Sequence, residues 1–357
     1  MVATRIKDCT EDEEDKIIRA AMLSLADESE SFIDEPQRGK LIEIDGPDEI
    51  WLIAFSADGE HVVSCEAQGK IRRWQVEDGK EVGEPMDAGS DLSSVAVSRD
   101  GKWIVSGGHG RVMVWDAQSH EKVSEFRAHK RAVIALDVSP DGSKIATGSD
   151  DTNACLWSLS DGKRLHGPFN HKNRVSAVKF SPDGRLIATA TWKRSSLRVY
   201  DSHDPRLVVD FRIQVCSARN DSFAWVSDSK QLFALSSDGK IHCLDVPTGQ
   251  SLSKWALYSD DDPGYISLAN NGTFIATCDV ASVLFWDTIT HEEIGFLVHH
   301  PARITSLAIS GNYDLVIGGG TKITLQSLLD TIPPPYIEGQ VNASASMRDM
   351  MSSQTDR

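Results

Sequence analysis

The segment SPDGSKIATGSDDTNACLW, residues 139–157, combines a turn signal with two short apolar runs. Its first four residues are serine, proline, aspartate and glycine, which are among the residues that dominate tight turns. The runs that follow, KIATGS (144–149) and NACLW (153–157), are bounded by glycine and aspartate. Short apolar or alternating runs with such boundaries are typical of β-strands. The segment therefore predicts a turn followed by two consecutive strands.

The same arrangement recurs along the chain with a period of about 42 residues. Turn signals begin at residues 56, 98, 139, 181, 227, 269 and 310, the last three in degenerate form. A second series follows each turn by about 17 residues: Trp74, Trp115, Trp157, Tyr200, Leu244, Trp286 and Leu325. Runs such as VIALDVS (133–139) and KVSEF (122–126) give each unit four strands. Because one four-stranded sheet cannot bury both faces alone, the units are expected to stack as propeller blades.

Trp115-Asp116 and Trp286-Asp287, together with the SPDG turns and this period, resemble WD40 repeats over about residues 40–330. The regular turns are similar to those of fungal WD40 chains. The resemblance implies an all-β fold, a seven-bladed β-propeller of four-stranded blades. The last repeat lacks a fourth strand, and KLIEI (40–44) matches the pattern of KVSEF. In WD40 propellers an N-terminal strand commonly completes the last blade, so we expect the ring to close this way.

The resemblance also implies a structural hydrogen-bonded tetrad in repeat 3, formed by His129, Thr147, Asp151 and Trp157. A catalytic triad is the alternative interpretation of a histidine beside an aspartate and a hydroxyl. The spacing favours the structural one, because it matches the family's blade support. The sequence also contains no Walker loop, HExxH or GxSxG motif and no metal-ligand cluster. We therefore predict no enzymatic activity, no cofactor and no metal site.

Charge and composition narrow the classes of partner and the compartment. The net charge of −16 argues against nucleic acid and anionic membranes, because both require clustered cations. No run approaches the roughly 20 apolar residues of a membrane span. The six cysteines form no CxxC pair, which favours small buried thiols in a reducing compartment. The sequence predicts a cytoplasmic protein, with the nucleus as an alternative.

The two ends of the chain are expected to differ from the propeller, which we assign to residues 37–330. Residues 1–36 are acidic, and an amphipathic helix is predicted over residues 10–26, either docked on the propeller or free to bind a partner. Residues 331–357 are predicted to form a flexible tail. The tail begins with PPPY, in which Pro333, Pro334 and Tyr336 fit the polyproline II ligand of WW domains. Alternatively, the prolines end the last strand and the tyrosine packs on a blade.

A tryptophan stands outside the repeat pattern in TATWKRSSLRVYD, residues 189–201. Tyr200 takes the usual tryptophan position, whereas Trp192 falls in the segment between the second and third strands of repeat 4. In WD40 propellers this segment lies on the same rim as the loops before each first strand. The cations expected on this rim in blades 3 and 4 are Lys130, Arg131, Lys172, Arg174, Lys193 and Arg194. Acidic residues are expected across the ring at Asp91 and Asp260–Asp262.

These residues predict a docking site for an acidic or phosphorylated peptide, with Trp51 as a second aromatic anchor. The alternative is that Trp192 folds back over blade 4 as packing. The function predicted is a non-catalytic protein–protein interaction scaffold that binds its partner on the propeller rim. Two other functions stay open, a ubiquitin-pathway adaptor that recruits a WW-domain ligase through PPPY, and a propeller enzyme with an unrecognised central site.

Overall fold

The computed structural model describes residues 41–56, 58–192, 197–215, 222–256, 266–268, 272–278, 280–329 and 331–337. The amphipathic helix predicted over residues 10–26 lies outside these residues. So do Lys193, Arg194 and Asp260–Asp262.

Twenty-eight strands make up the described propeller. Strand β1 (Leu41–Asp45) is followed by blade 1, with β2 (Ile50–Phe55), β3 (His61–Glu66), β4 (Lys70–Gln75) and β5 (Met86–Asp87). Blade 2 holds β6 (Ser94–Val97), β7 (Trp103–Gly107), β8 (Arg111–Asp116) and β9 (Lys122–Arg127). Blade 3 holds β10 (Val133–Val138), β11 (Lys144–Ser149), β12 (Asn153–Ser158) and β13 (Arg164–Asn170). Blade 4 holds β14 (Val175–Phe180), β15 (Leu186–Thr191), β16 (Arg198–Asp201) and β17 (Leu207–Asp210).

The remaining blades follow the same order. Blade 5 holds β18 (Phe223–Trp225), β19 (Gln231–Leu235), β20 (Lys240–Asp245) and β21 (Gln250–Ala256). Blade 6 holds β22 (Ile266–Leu268), β23 (Phe274–Cys278), β24 (Ser282–Asp287) and β25 (Glu293–His299). Blade 7 holds β26 (Ile304–Ile309), β27 (Asp314–Gly319) and β28 (Lys322–Ser327), and a single helical turn, α1 (Pro334–Ile337), comes after it. All seven sheets are four-stranded and antiparallel, which confirms the predicted fold.

The turn that repeats in the sequence is held by its own side chains. In blade 3, Ser139 Oγ donates to Asp141 Oδ1 at 2.5 Å, and the same carboxylate oxygen accepts the Ser143 N–H at 3.0 Å. Gly142 closes the turn with a φ of 69°, a left-handed conformation that glycine adopts without steric cost. Serine, aspartate and glycine therefore suit these positions, which is why the pattern marks the turn between the first two strands of each regular repeat.

Blade 7 is completed from the other end of the described chain. Strand β1 pairs antiparallel with β28, in a register that runs from Leu41 opposite Gln326 to Asp45 opposite Lys322. Ile44 is the buried residue of β1, and it packs in a cluster with Trp74 of blade 1 and Ile323 of blade 7. This strand covers the outer edge of β28, which otherwise would present unpaired backbone groups.

The hydrophobic core is divided among the contacts between blades. Each buried cluster draws on two neighbouring sheets; in one, Val105 of blade 2 packs with Leu136 and Trp157 of blade 3. Trp286 likewise packs with Phe233 across the contact between blades 5 and 6. The blades thus bury both faces against one another, as the repeat period predicts. No helix in the described part is long and apolar enough to cross a membrane.

Candidate partner-binding rim

The four residues of the predicted tetrad form a continuous chain of hydrogen bonds in blade 3. Trp157 Nε1–H donates to Thr147 Oγ1 at 2.8 Å, and that hydroxyl lies 2.7 Å from His129 Nε2. His129 Nδ1 lies 3.1 Å from Asp151 Oδ2. Each donor in this chain has an acceptor: the indole donates to the hydroxyl, the hydroxyl to the imidazole, and the imidazole to the carboxylate.

The protonation states of His129 and Asp151 fit a structural role for the tetrad in holding the blade together. Burial lowers the pKa of His129 despite the neighbouring Asp151 charge, so the ring is neutral near neutral pH. Burial alone would raise the pKa of Asp151, but the N–H of Lys130 and the imidazole hold it below its ordinary value. The His129 side chain is only 1% exposed, so its imidazole is shielded from solvent. The tetrad thus satisfies buried polar groups and fixes the loop before β10.

Blade 4 departs from this arrangement. Tyr200 stands where blade 3 has tryptophan, and the aspartate of the loop is missing. His171 Nε2 still lies 3.3 Å from Thr189 Oγ1, and Arg198 forms an ion pair with Asp210 at 3.0 Å. Burial, assisted by the Arg198 charge, lowers the pKa of His171 to about 4. Blade 4 thus has no carboxylate after β15 that corresponds to Asp151, which accepts hydrogen bonds in the loop of blade 3.

Trp192 lies at the start of that segment and contacts the loop before β14. Its backbone N–H donates to Arg174 O at 3.0 Å, and the Arg174 guanidinium carbon sits 4.1 Å from the centre of the indole ring. Arg174 also reaches blade 3, where its Nη1 lies 3.6 Å from Asp150 Oδ1. Trp192 is half-buried and Arg174 is exposed. The pair therefore forms a cation–π stack that bridges two blades at the rim.

The described cations predicted for this rim are all exposed: Lys130, Arg131, Lys172 and Arg174. They lie on the loops that enter β10 and β14. The backbone of the first loop is fixed, since the Lys130 N–H donates to Asp151 Oδ2 at 2.9 Å and the Asp150 N–H to Ala132 O at 3.1 Å. Within the described residues, Arg174 alone among the four pairs with a carboxylate. This rim of blades 3 and 4, with Trp192, is hereafter the basic rim.

Other residues predicted for partner binding lie elsewhere. Trp51 is half-buried on β2, in blade 1, so it belongs to a different part of the ring from Trp192. Asp91 is exposed in the loop between blades 1 and 2. The structure thus brings Arg174 and Trp192 into direct contact, whereas Trp51 is on a blade that is not adjacent to blades 3 and 4.

The described tail differs from the extended segment that PPPY predicts. Pro334–Ile337 form one helical turn, not the polyproline II segment that a WW ligand requires of Pro333, Pro334 and Tyr336. The structure instead shows the alternative arrangement, in which the tyrosine packs on a blade. Tyr336 Oη–H donates to Asp287 Oδ2 at 2.8 Å, and Thr273 Oγ1–H donates to Tyr336 O at 3.0 Å. Ile332 is buried in the core shared by blades 6 and 7. After β28 the chain therefore packs on blade 6, where these contacts hold Tyr336.

Two further features were not singled out from sequence. One is a trio of Asp58, Glu60 and His61 whose ligand atoms lie within 4.8 Å of one another. Asp58 already accepts the Glu60 N–H at 2.8 Å, and the aspartates of other turns do the same for the residue two places on, so the turn itself accounts for the trio. The other is a groove between blades 2 and 3, lined by Arg127 and Arg164. Neither arginine belongs to the repeat pattern, so no sequence signal pointed to the groove.

Comparison with known proteins agrees with the architecture. The family model described as "WD domain, G-beta repeat" matches residues 84–116, 120–158 and 162–201. The chain is 38% identical over 73 residues to the periodic tryptophan protein 2 homolog of Mus musculus, which is 20% of this chain and 8% of that protein.

Two other relatives match longer segments. The target of rapamycin complex subunit wat1 of Schizosaccharomyces pombe is 29% identical over 118 residues, 31% of this chain and 37% of wat1. The small ribosomal subunit protein RACK1 of Caenorhabditis elegans is 29% identical over 153 residues, 40% of this chain and 46% of that protein. The chain thus spans less than half the length of each of these three relatives.

Proposed function

We propose, from the premise that this chain is a WD40-repeat β-propeller, that it is a non-catalytic scaffold whose basic rim binds a protein partner. Its relatives wat1 and RACK1 are by name subunits of larger assemblies, which supports a protein as the kind of partner. The fold alone does not assign a function, so the proposal depends on the chemistry of the rim.

One observation carries the proposal: the Arg174–Trp192 stack lies among exposed cations in a protein whose net charge is −16. Tryptophan and arginine are enriched at the hot spots of protein interfaces. The indole offers an apolar face, and the neighbouring cations attract negative charge and accelerate association. The partner segment we propose is therefore acidic or phosphorylated, with an apolar side chain that packs beside Trp192.

The absence of catalysis is also part of the proposal. Its support is that the His129–Asp151 pair, which sequence alone leaves open as catalytic, has a buried, neutral imidazole engaged at both nitrogens. Cys65, Cys155, Cys243 and Cys278 are buried, which supports work in a reducing compartment, the cytosol with the nucleus as alternative.

The test is a screen of an immobilised library of acidic peptides, in phosphorylated and unphosphorylated forms. We expect the wild-type protein to bind a subset of these peptides and the Arg174→Ala/Trp192→Ala double variant to lose that subset. Arg185→Ala is the matched control, because Arg185 is an exposed arginine of the same blade at the turn between β14 and β15. A double variant that keeps the wild-type binding pattern would overturn the rim as the docking site.

An adaptor that recruits a WW-domain protein through PPPY is the second candidate, and its support is the motif itself. In this structure Tyr336 is hydrogen-bonded to Asp287, so a WW domain has to release the helical turn before it can bind. This requirement predicts that Asp287→Asn, which weakens the bond to Tyr336 and leaves the motif intact, strengthens binding of the full chain to a PPxY-class WW domain. An unchanged affinity of the Asp287→Asn variant would remove the proposed competition.

A further inference from the structure

The contacts between neighbouring blades form two equivalent grooves that differ in charge. The blade 1–2 groove, of about 410 Å³, is lined by two Lys/Arg residues and three carboxylates: Arg111, Lys122, Asp87, Asp91 and Glu125. The blade 2–3 groove, of about 380 Å³, is lined by three Lys/Arg residues and one carboxylate: Arg127, Lys130, Arg164 and Asp151. Both volumes are within the range of ligand pockets.

The charges of the blade 1–2 groove neutralise one another. Glu125 accepts hydrogen bonds from Arg111 and, at 2.6 Å, from Lys122, and Asp87 pairs with Lys70 at 2.8 Å. Glu125 stands opposite Met113 in the register of β8 and β9. The cations of this groove therefore have their counter-charges within the protein.

The blade 2–3 groove lacks the residue that would correspond to Glu125. Cys155 takes the place of Met113, and the facing strand β13, RLHGPFN (164–170), contains no aspartate or glutamate, so no carboxylate stands there. A Cβ added at Gly167 would lie 2.9 Å from Ala154 O and 3.3 Å from Cys155 Sγ, so the backbone approaches β12 too closely for a larger side chain. The composition of β13 therefore leaves the cations of this groove without an acidic neighbour on that strand.

The single carboxylate of the blade 2–3 groove is already engaged. Asp151 accepts the N–H groups of Lys130 and Asn153, at 2.9 and 3.1 Å, as well as the His129 imidazole. Among the described residues, Arg127, Lys130 and Arg164 form no ion pair within 4.0 Å. Asn153 Oδ1 is also buried at this groove without a hydrogen-bond partner in the described part. The groove therefore offers three cations that have no carboxylate partner in the part of the chain that the structure describes.

We propose that the blade 2–3 groove binds the phosphate of a phosphorylated serine or threonine in the partner peptide. Arginine and lysine side chains bind phosphate dianions through short charge-assisted hydrogen bonds, and two arginines allow bidentate contacts. Lys130 lies both in this groove and on the basic rim, so a peptide docked on the rim reaches the groove within a short length of chain. The proposal rests on the proposed function for its peptide, but the groove can be tested without one.

The first arm of the test uses N-acetyl-phosphoserine methylamide, with N-acetyl-serine methylamide and inorganic phosphate as comparisons. We expect the phosphorylated compound to shift NMR signals of groove residues in the wild-type protein and the serine compound to leave them in place. The Arg127→Gln/Arg164→Gln variant should bind the phosphorylated compound at least roughly tenfold more weakly, because two charge-assisted contacts are lost. Lys122→Gln, at the position in the blade 1–2 groove that corresponds to Arg164, is the control and should leave binding unchanged.

The second arm uses peptides that bind the rim, each in serine and phosphoserine forms. The groove variant should remove the gain in affinity due to the phosphate and leave the affinity of the unphosphorylated peptide unchanged. A phosphoserine compound that binds neither protein, or binds both equally, overturns the groove as a phosphate site. If the groove binds phosphoserine and no acidic peptide binds the rim, the groove stands and the proposed function fails. Equal binding of inorganic phosphate and the phosphoserine compound would contradict a peptide as the ligand.

Discussion

Strand β1 closes the ring, and Ile44 is its buried residue, 6% exposed. Replacing Ile44 with alanine removes three carbons from the cluster that joins blades 7 and 1. At about 0.8 kcal/mol for each buried methylene, the transfer loss is about 2.4 kcal/mol. The cavity left between Trp74 and Ile323 adds to this value, so we expect Ile44→Ala to lower the free energy of unfolding by about 3 kcal/mol.

The assay is urea denaturation followed by tryptophan fluorescence, since Trp74 packs in the same cluster as Ile44. Leu41→Ala is the matched control: Leu41 lies on the same strand but is 47% exposed, and its loss should change the free energy by no more than about 0.5 kcal/mol. Equal destabilisation by the two substitutions would refute the reasoning, because it would mean that β1 does not bury Ile44 against blade 1.

Three further predictions concern the buried polar groups. Because burial lowers the folded pKa of His171 to about 4 while its ordinary value is 6.5, the unfolded chain takes up the proton first as pH falls. Stability should therefore decrease by about 2 kcal/mol more between about pH 7.5 and about pH 5 in the wild type than in His171→Gln, measured by urea denaturation. Thr147→Val should lower the free energy of unfolding by about 2 kcal/mol in the same assay, because it leaves the Trp157 indole N–H and the His129 ring without their shared partner. Thr152, half-buried in the neighbouring loop, is the control; a loss no larger than that of Thr152→Val would contradict the prediction. Tyr336→Phe should lower the free energy of unfolding by about 1.5 kcal/mol, because the hydrogen bond to Asp287 is lost. An unchanged melting temperature would show that this bond does not hold the helical turn on blade 6.

The fold was predictable because its signals are local and repeated. Ser139, Asp141 and Gly142 form their turn with bonds inside four residues, so the turn is visible in the sequence of each regular repeat. The closing strand was also predictable. The last repeat lacks a fourth strand, and residues 40–44 have the pattern of the fourth strands in the other repeats. Trp157 and its partners have the spacing typical of WD40 repeats, and they lie within hydrogen-bonding distance of one another in the structure.

The candidate site was less accessible to sequence reasoning, because its contacts join residues of different repeats. The stack of Arg174 on Trp192 and the reach of Arg174 to Asp150 depend on how two loops meet at the rim. The charge of the blade 2–3 groove depends on Arg127, Lys130 and Arg164, which come from two blades and share no pattern in the sequence. For the tail the sequence left two arrangements open, because three consecutive prolines favour an extended chain but also end a strand. Contacts of Tyr336 with Asp287 and Thr273 decide between them and hold a helical turn on blade 6.

The most direct test of the basic rim is to measure binding and stability on one variant, Trp192→Ala. The peptide that binds most tightly in the screen is labelled and titrated by fluorescence anisotropy at low and high salt, and the melting temperature is measured in parallel. The account predicts a dissociation constant about 30-fold higher, equivalent to about 2 kcal/mol, with a melting temperature close to that of the wild type and binding that weakens with salt. A melting temperature many degrees lower with an unchanged dissociation constant would contradict it and make Trp192 a packing residue of blade 4.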